Sequence, residues 1–177
     1  MPPRVAVIVL VCDDYAERYL ADCYAGLSRQ TYPAARVRLL VVNNGGTTAS
    51  RQVVARLAPG AEQLVTARNL GWAGGNNAAI RQALAEGADY CVLLNVDTTV
   101  EPEWLGRLVE AAAAHPELHI LQSTLLLHGT DRLNSRGNRI HYLGYGFCEG
   151  YGEPEGSAGD RPGPVAFASG AAMLVKR

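Results

Sequence analysis

The sequence predicts an α/β domain with a mostly parallel central sheet. Short runs rich in Val and Ile, which are typical of strands covered on both faces, alternate with segments whose apolar residues recur at helical spacing. The resulting order is β-α-β-α-β-α-β-α, which favours right-handed crossovers and parallel strands. The polar and glycine-rich segments follow the strands, and ligands bind at that edge of such sheets.

Apolar runs and their breaks predict the strands. "RVAVIVLV" is almost purely apolar, and "RVRLLVVNN" is a second such run that is broken by "GG". "EQLVTA" and "DYCVLLNV" are shorter runs of the same kind. These segments predict strands over residues 4–11, 36–44, 62–67 and 89–96.

Helical spacing, together with glycine and proline, predicts the helices. Leu20, Cys23 and Leu27 recur on one face, Gly87 suits the residue after a helix, and Pro102 suits a first helical turn. The predicted helices cover residues 15–30, 49–57, 73–86 and 102–115. Beyond them, "ELHILQSTLLLHG" predicts one or two strands and "RLNSRGNRIHYLGYG" a short hairpin region. Residues 144–163 predict a long loop and "VAFASGAAMLVKR" a final strand pair.

The composition fits one globular domain and excludes several classes of function. The 177 residues carry a formal net charge of −1 and are 48% hydrophobic. A nearly neutral chain is a poor partner for nucleic acid, and no apolar run reaches the roughly 18 residues of a membrane span. The four cysteines form no Cys-x-x-Cys pair, so neither a zinc site nor a disulfide framework is indicated. We expect a cytoplasmic protein with at most peripheral association at the inner face of the membrane.

Four polar segments should meet at the carboxyl edge of the sheet. They are "CDD", "NNGG", "RNLGWAGGNN" and "NVD", each of which follows one predicted strand. Their convergence predicts a binding site. The alternative is a set of ordinary turns between strands and helices, since such turns also favour Gly, Asn and Asp.

The fourth segment is a candidate metal half-site. Asp97 follows a buried strand, and Asn95 lies two residues earlier, so both side chains can leave an extended segment on the same side. One carboxylate and one amide oxygen suit Mg²⁺ or Mn²⁺ if the phosphates of a ligand complete the shell. Alternatively, Asp97, Thr98 and Thr99 cap the helix that follows.

The glycine-rich segment "NLGWAGGNN" is a candidate phosphate site. Gly71, Gly74 and Gly75 allow positive φ and close approach of a ligand, and the helix that follows offers free N–H groups. The segment matches neither the P-loop nor the dinucleotide fingerprint. Arg68 either adds positive charge toward a diphosphate or is a solvated surface residue.

In their order and spacing, several segments resemble a known family of enzymes. These are "YLADCYAGLSRQTYP", "LLVVNNGG", "RNLGWAGGNNAAI", "DYCVLLNVDTTVEPEWLGRLV", "NSRGNRIHYLGYG" and "ASGAAMLVKR". They resemble the inverting, nucleotide-sugar-dependent glycosyltransferases of family 2, which have the GT-A fold. The similarity is closest to a rhamnosyltransferase-like branch that builds bacterial cell-surface polysaccharides.

The resemblance implies a nucleoside-diphosphate-sugar donor, a glycan or lipid-linked acceptor, and a divalent metal, Mn²⁺ or Mg²⁺. It implies one domain over residues 1–177, with a nucleotide-binding half (1–115) and the start of an acceptor-side half (116–177). Asp97 would hold the metal, and Ser169 and Gly170 would lie near the donor sugar or the acceptor. The implied nucleotide-binding residues are Cys12, Asp14, Asn43, Arg68, Asn69, Gly74, Gly75, Asn76 and Asn95.

Two departures from the family pattern matter. Asn43 replaces an aspartate that pairs with the nucleotide base, unless Asn43 is only a turn residue. Asp13 or Asp14 could serve the base instead, or begin the first helix as a cap. The family's acidic catalytic base lies downstream of "SGAAMLV", so we expect it beyond Arg177, in a longer enzyme. The sequence therefore predicts either an inverting glycosyltransferase or a donor-binding module or inactive fragment. A nucleotidyltransferase is disfavoured, because no glycine-rich Arg/Lys loop follows the first strand.

Overall fold

The computed structural model describes residues 1–158 and 162–177. Its helices are α1 (Tyr15–Ser28), α2 (Thr48–Leu57), α3 (Gly71–Ala85) and α4 (Trp104–Ala114), with short 3₁₀ turns at Ala34–Arg36 and Glu155–Ala158. Its strands are β1 (Val5–Val11), β2 (Val37–Asn43), β3 (Glu62–Val65), β4 (Tyr90–Asn95), β5 (Ile120–Gln122), β6 (Leu125–Leu126), β7 (Leu133–Ser135), β8 (Asn138–Ile140), β9 (Gly146–Cys148) and β10 (Ala172–Lys176).

A six-stranded sheet forms the centre of the molecule, in the order β3-β2-β1-β4-β10-β5. The first four strands run parallel, whereas β10 is antiparallel to both of its neighbours. This confirms the predicted α/β fold with a mostly parallel sheet. The strand order reverses between β1 and β4, and a crevice at such a point is where α/β sheets bind ligands.

Helices cover both faces of the sheet. Alternate residues of β1 point to opposite sides: Val7 and Val9 pack with α1, α2 and α4, whereas Ile8 packs with α3. All three side chains are almost fully buried. Each such side chain stabilises the fold by about 1.5–3 kcal/mol relative to an exposed one. This two-sided burial explains why the strands read as unbroken apolar runs.

The predicted boundaries near the carboxyl edge that differ from the structure include the starts of α3 and α4 and the end of β4. Helix α3 begins at Gly71 instead of residue 73, so it includes the glycines. Helix α4 begins at Trp104, after a turn in which the Trp104 N–H donates to Glu101 O (3.0 Å), so Pro102 lies outside it. Strand β4 ends at Asn95, because the Thr98 N–H donates to Asn95 O (3.1 Å) and closes a turn.

The second part of the chain forms small sheets beyond the main one. β6 pairs with β7, and β8 pairs with β9 as the predicted hairpin. The predicted final strand pair is instead the single strand β10. The predicted loop over residues 144–163 contains β9 and a 3₁₀ turn, and its residues 159–161 lie outside the described residues. In the part of the chain that the structure describes, no helix combines the length and apolarity needed to cross a membrane.

Candidate functional site

The segments that follow β1, β2, β3 and β4 meet at one edge of the sheet. The last residues of these strands lie side by side, with Val11 opposite Asn43, Asn43 opposite Val65, and Leu10 opposite Asn95. Strand β10 runs the other way, so the Ser169–Gly170 segment before it enters at the same edge. The expected convergence of the polar segments is therefore confirmed.

The side chain of Asn44 joins two of these segments. It is 4% exposed. Its Oδ1 accepts from the Leu70 N–H (2.9 Å), and its Nδ2 donates to Asn69 Oδ1 (2.9 Å) and Gly71 O (3.1 Å). A carboxylate has no N–H to donate, so only an amide satisfies both sides of this junction. Asn44 thereby holds the entrance to α3 against the end of β2.

Two glycines at this junction have a positive φ for different reasons. Gly45 has φ +83°, and a Cβ added there would lie 2.8 Å from the Asn69 backbone nitrogen. Gly71 has φ +71°, with no heavy atom within 4 Å of an added Cβ. Gly45 therefore permits two backbone segments to touch, whereas Gly71 faces open space where a ligand could approach.

Two of the three glycines inside α3, Gly74 and Gly75, do not have the predicted backbone conformation. Gly74 and Gly75 lie in the helix without positive φ, so the expectation of positive φ is wrong for them. A Cβ at Gly75 would meet Leu10 of β1, so this residue allows α3 to pack closely on the sheet. Asn76 is 3% exposed, and its amide donates to Trp72 O (2.9 Å). A role for these residues in nucleotide binding stays a prediction.

Trp72 connects three parts of the edge through its contacts with Asn95 and Gly170. Its indole N–H donates to Asn95 Oδ1 (3.1 Å), and its ring lies against Gly170, where no Cβ would fit. The Asn95 N–H donates to Ala171 O (2.9 Å), which fixes the same strand end. The half-exposed ring thus borders the crevice between α3, β4 and the Ser169–Gly170 segment.

Asp97 is exposed at the end of β4, in the turn that follows Asn95. Because the chain turns there, the extended arrangement predicted for Asn95 and Asp97 is wrong. The alternative that Asp97 caps the next helix is also wrong, since the N-cap of α4 is Glu103. Within residues 1–158 and 162–177, the Asp97 carboxylate makes no hydrogen bond or ion pair. Among the described residues, this carboxylate therefore has no structural partner.

The end of β1 carries a strained residue and two carboxylates. Asp13 has φ +47°, a left-handed conformation that is uncommon outside glycine and that clusters at functional loops. Asp14 occupies the N-cap position of α1 without making a capping hydrogen bond. Its Oδ2 lies 3.6 Å from Arg18 Nη1. Burial and the neighbouring Asp13 raise the pKa of the Cys12 thiol, so Cys12 is a neutral group at this edge.

Asn43 and Arg68 flank the junction in different ways. Asn43 is buried, and its Nδ2 donates to Ser50 Oγ (3.0 Å) in the first turn of α2. Its amide is therefore directed toward α2 and held there. The Arg68 side chain is exposed, and only its carbonyl takes part in the junction, accepting from Thr66 Oγ1 (2.9 Å).

A buried polar network holds the Ser169–Gly170 segment in place. The Ser169 N–H donates to Gln122 Oε1 (2.6 Å), which also accepts from Asn138 Nδ2 (3.3 Å). Gln122 Nε2 donates to the buried Ser135 hydroxyl (3.3 Å). These contacts join residues up to 47 positions apart, so no local signal in the sequence could identify Gln122.

A divalent cation fits this edge only as part of a complex with a ligand. Among the described residues, no three His, Cys, Asp or Glu side chains are grouped to hold a metal ion. Asn95 Oδ1 accepts from the Trp72 indole N–H, and the Asp97 carboxylate is the charged oxygen ligand that follows it at the end of β4. Mg²⁺ is commonly held by one or two carboxylates together with substrate phosphates and water. The donor set therefore suits Mg²⁺ or Mn²⁺ only when a diphosphate completes the shell.

In a comparison with protein families, residues 6–176 match the family described as Glycosyl transferase family 2. The chain belongs to glycosyl transferase family 2. The resemblance seen in the sequence is thereby confirmed at the level of this family, and the rhamnosyltransferase-like branch stays a prediction. A comparison with curated proteins gave no match.

Solved structures of other glycosyltransferases have the same fold as this family 2 chain. The mannosyltransferase PcManGT from Pyrobaculum calidifontis, in complex with GDP-Man and Mn²⁺, has a TM-score of 0.64 at 19% identity, covering 100% of this chain and 45% of that one. S. aureus TarS has a TM-score of 0.59 at 20% identity, covering 76% and 24%. TarS 1-349 in complex with UDP-GlcNAc has a TM-score of 0.55 at 21% identity, covering 76% and 39%. The shared fold is GT-A, and the family 2 chain spans less than half the length of these proteins.

Proposed function

We propose that this chain binds a nucleoside-diphosphate sugar at the carboxyl edge of its sheet and transfers the sugar, with inversion, to a glycan or glycolipid acceptor. The observation that carries the proposal is the junction of α3, β4 and the Ser169–Gly170 segment around Trp72. It lies at the reversal of strand order in a family 2 glycosyltransferase fold, where a ligand is expected.

The diphosphate would lie over the start of α3. The N-cap residue Leu70 makes no side-chain cap, and Asn69 Oδ1 accepts from the Gly71 N–H, so the N–H groups after Gly71 and the positive dipole end of α3 are what the first turn offers to an anion. Gly71 faces open space beside this turn, and the exposed Arg68 adds positive charge. Asp97 would hold the divalent metal, which as a Lewis acid stabilises charge on the leaving diphosphate.

The nucleotide base would lie near the ends of β1 and β2. Asp14 is exposed and its carboxylate can accept a hydrogen bond from a ring N–H of the base. Asn43 is held by Ser50, so we infer that it supports the pocket from behind. This division of roles modifies the simplest form of the resemblance, in which Asn43 contacts the base directly.

A donor-binding module without catalysis is the second candidate. The observation that favours it is that the described residues contain no group of three His, Cys, Asp or Glu side chains that could hold a metal ion. Sugar transfer with inversion needs a carboxylate that takes the proton of the attacking hydroxyl. Release of nucleoside diphosphate from a sugar donor therefore separates the two candidates.

A thermal-shift panel tests donor binding. Uridine, thymidine, guanosine and cytidine diphosphates are each added with and without Mn²⁺. A ligand at 100 times its Kd stabilises the native state by about 2.7 kcal/mol, which raises Tm by about 5–10 °C in a domain of this size. We expect such a shift for one nucleotide, in a metal-dependent manner. No shift with any nucleotide would contradict the proposal.

Asp97→Ala tests the metal role, with Glu101→Ala as the matched control. Both residues are exposed carboxylates of the same segment, four positions apart. We expect Asp97→Ala to remove the Mn²⁺-dependent part of the shift and Glu101→Ala to retain it. If Asp97→Ala keeps the full metal dependence, Asp97 does not hold the metal.

A further inference from the structure

The β8–β9 hairpin, residues 138–148, exposes a set of large apolar side chains. Tyr142 is 88% exposed and Tyr145 is 69% exposed. Ile140, Leu143 and Phe147 are also exposed. We name these five residues the aromatic tip. Nothing in the donor site described above uses it.

The aromatic tip is a defined structure. The His141 N–H donates to Tyr145 O (2.7 Å) and the Gly144 N–H donates to His141 O (2.8 Å), which closes a tight turn. Gly144 has φ +86°, so the turn needs glycine at this position. At the base of the hairpin, Asn138 is buried in the network of Gln122 and Ser135. The exposed rings are therefore presented on a fixed support.

The hairpin is continuous with the candidate site. The Phe167 ring lies against Gly146, where an added Cβ would come within 2.9 Å of it. Phe167 is three residues before Gly170, which contacts Trp72. The Ala166 N–H also donates to Asn138 O (2.9 Å). A surface thus leads from the crevice at Trp72, over Phe167, to the aromatic tip.

Two arginines beside the hairpin, Arg136 and Arg139, are each paired with a carboxylate. Arg139 Nη2 donates to Glu149 Oε1 (2.6 Å), and Arg136 Nη1 lies 3.2 Å from Glu153 Oε2. The aromatic tip itself has no charged side chain. An anionic membrane surface or a nucleic acid is bound mainly through unpaired Lys and Arg, so this surface does not fit either.

We propose that the aromatic tip binds a neutral glycan, the sugar part of the acceptor, and directs it toward the Ser169–Gly170 segment. One face of a sugar ring is a patch of C–H groups, and its rim consists of hydroxyls. Tyrosine matches both, since its ring is apolar and its hydroxyl donates and accepts hydrogen bonds. The inference rests on the proposed function, because the acceptor has meaning only for a sugar transfer.

Affinity electrophoresis of the whole chain tests the glycan site. Native gels contain dextran, laminarin or yeast mannan, which are neutral polysaccharides of different linkage. We expect at least one polysaccharide to retard the wild-type chain. Tyr142→Ala/Tyr145→Ala should weaken that binding at least fivefold, whereas Tyr142→Phe/Tyr145→Phe should retain most of it, because the rings remain.

Ile120→Ala is the matched control. Ile120 is an exposed apolar residue at the start of β5, the end of that strand away from Gln122 and the site. Its loss should leave the retardation unchanged. Thermal unfolding of each variant checks that the fold is intact, and the nucleotide panel is repeated on the tyrosine double variant. Nucleotide binding should persist there, so failure of the glycan site and failure of the donor site are distinguishable.

Three outcomes would overturn the inference. One is a wild-type chain that migrates equally in all gels. Another is a chain that binds phosphatidylcholine vesicles but no glycan, with the vesicle binding lost in the tyrosine double variant. This result would make the aromatic tip a membrane contact. The last is a concentration-dependent dimer that the same variant abolishes, which would make it a contact between copies.

Discussion

Asn44 shows at the scale of one residue why amides recur along the carboxyl edge. Its oxygen and its nitrogen are both used, one to accept from Leu70 and the other to donate to Asn69 and Gly71. A buried polar group that loses its partner costs about 1–3 kcal/mol. Asn44 therefore contributes to the free energy of unfolding as well as to the shape of the site.

Asn44→Ala should lower the free energy of unfolding by about 2–3 kcal/mol, because it leaves the Leu70 N–H and Gly71 O without this partner. Urea unfolding measures the change. Asn77→Ala is the control, since Asn77 is an exposed amide of α3, and it should shift stability by no more than about 0.5 kcal/mol. Equal effects of the two substitutions would mean that Asn44 does not hold the junction.

At the scale of elements, the strands and helices were predictable and the junctions between them were not. A buried strand such as β1 consists of a continuous apolar run, and such a run can be recognised from the sequence alone. The predicted start of α3, residue 73, is later than the observed start at Gly71, because glycine is a poor helix former and favours the prediction of a loop. Asn44 and Gln122 escaped notice because their partners lie 26 and 47 positions away, where no periodicity reports on them.

The β2–α2 and β3–α3 connections make a prediction that compares two glycines. Gly45 and Gly71 share a positive φ, so alanine at either position should cost about 1–2 kcal/mol in backbone strain. Only at Gly45 does the new Cβ also meet backbone, at Asn69. We expect Gly45→Ala to destabilise more than Gly71→Ala in urea unfolding. The reverse order would mean that these two connections are not in contact.

Gly71→Ala serves a second purpose in the same experiment. Its added Cβ enters open space beside the first turn of α3, where the diphosphate is proposed to lie. We expect Gly71→Ala to lower the affinity for the nucleotide by more than its effect on the free energy of unfolding would account for. A variant with unchanged nucleotide affinity would show that the ligand does not approach the backbone at Gly71.

In the whole molecule, helices cover both faces of the sheet and leave its carboxyl edge exposed. The cysteines lie in these different regions. Cys23 belongs to α1 and packs against one face of the sheet, whereas Cys91 belongs to β4 and packs on the face covered by α3. Burial raises the pKa of Cys23 to about 12, with a further contribution from Asp97, and burial raises that of Cys91 to about 11. Cys12 stands at the open edge, half-buried, and Cys148 is exposed on the hairpin.

Alkylation with iodoacetamide at pH 8, followed by mass spectrometry, should therefore modify Cys148 first and Cys12 more slowly. The thiolate is the reactive form, so a raised pKa and burial act in the same direction. Cys23 and Cys91 should react only after unfolding in urea. A nucleotide that binds as proposed should protect Cys12 and leave the rate at Cys148 unchanged, because the hairpin belongs to the acceptor surface. Rapid modification of Cys23 or Cys91 in the folded chain would mean that the helices do not seal the sheet. Equal protection of Cys12 and Cys148 would mean that the donor covers the hairpin as well, which contradicts separate donor and acceptor surfaces.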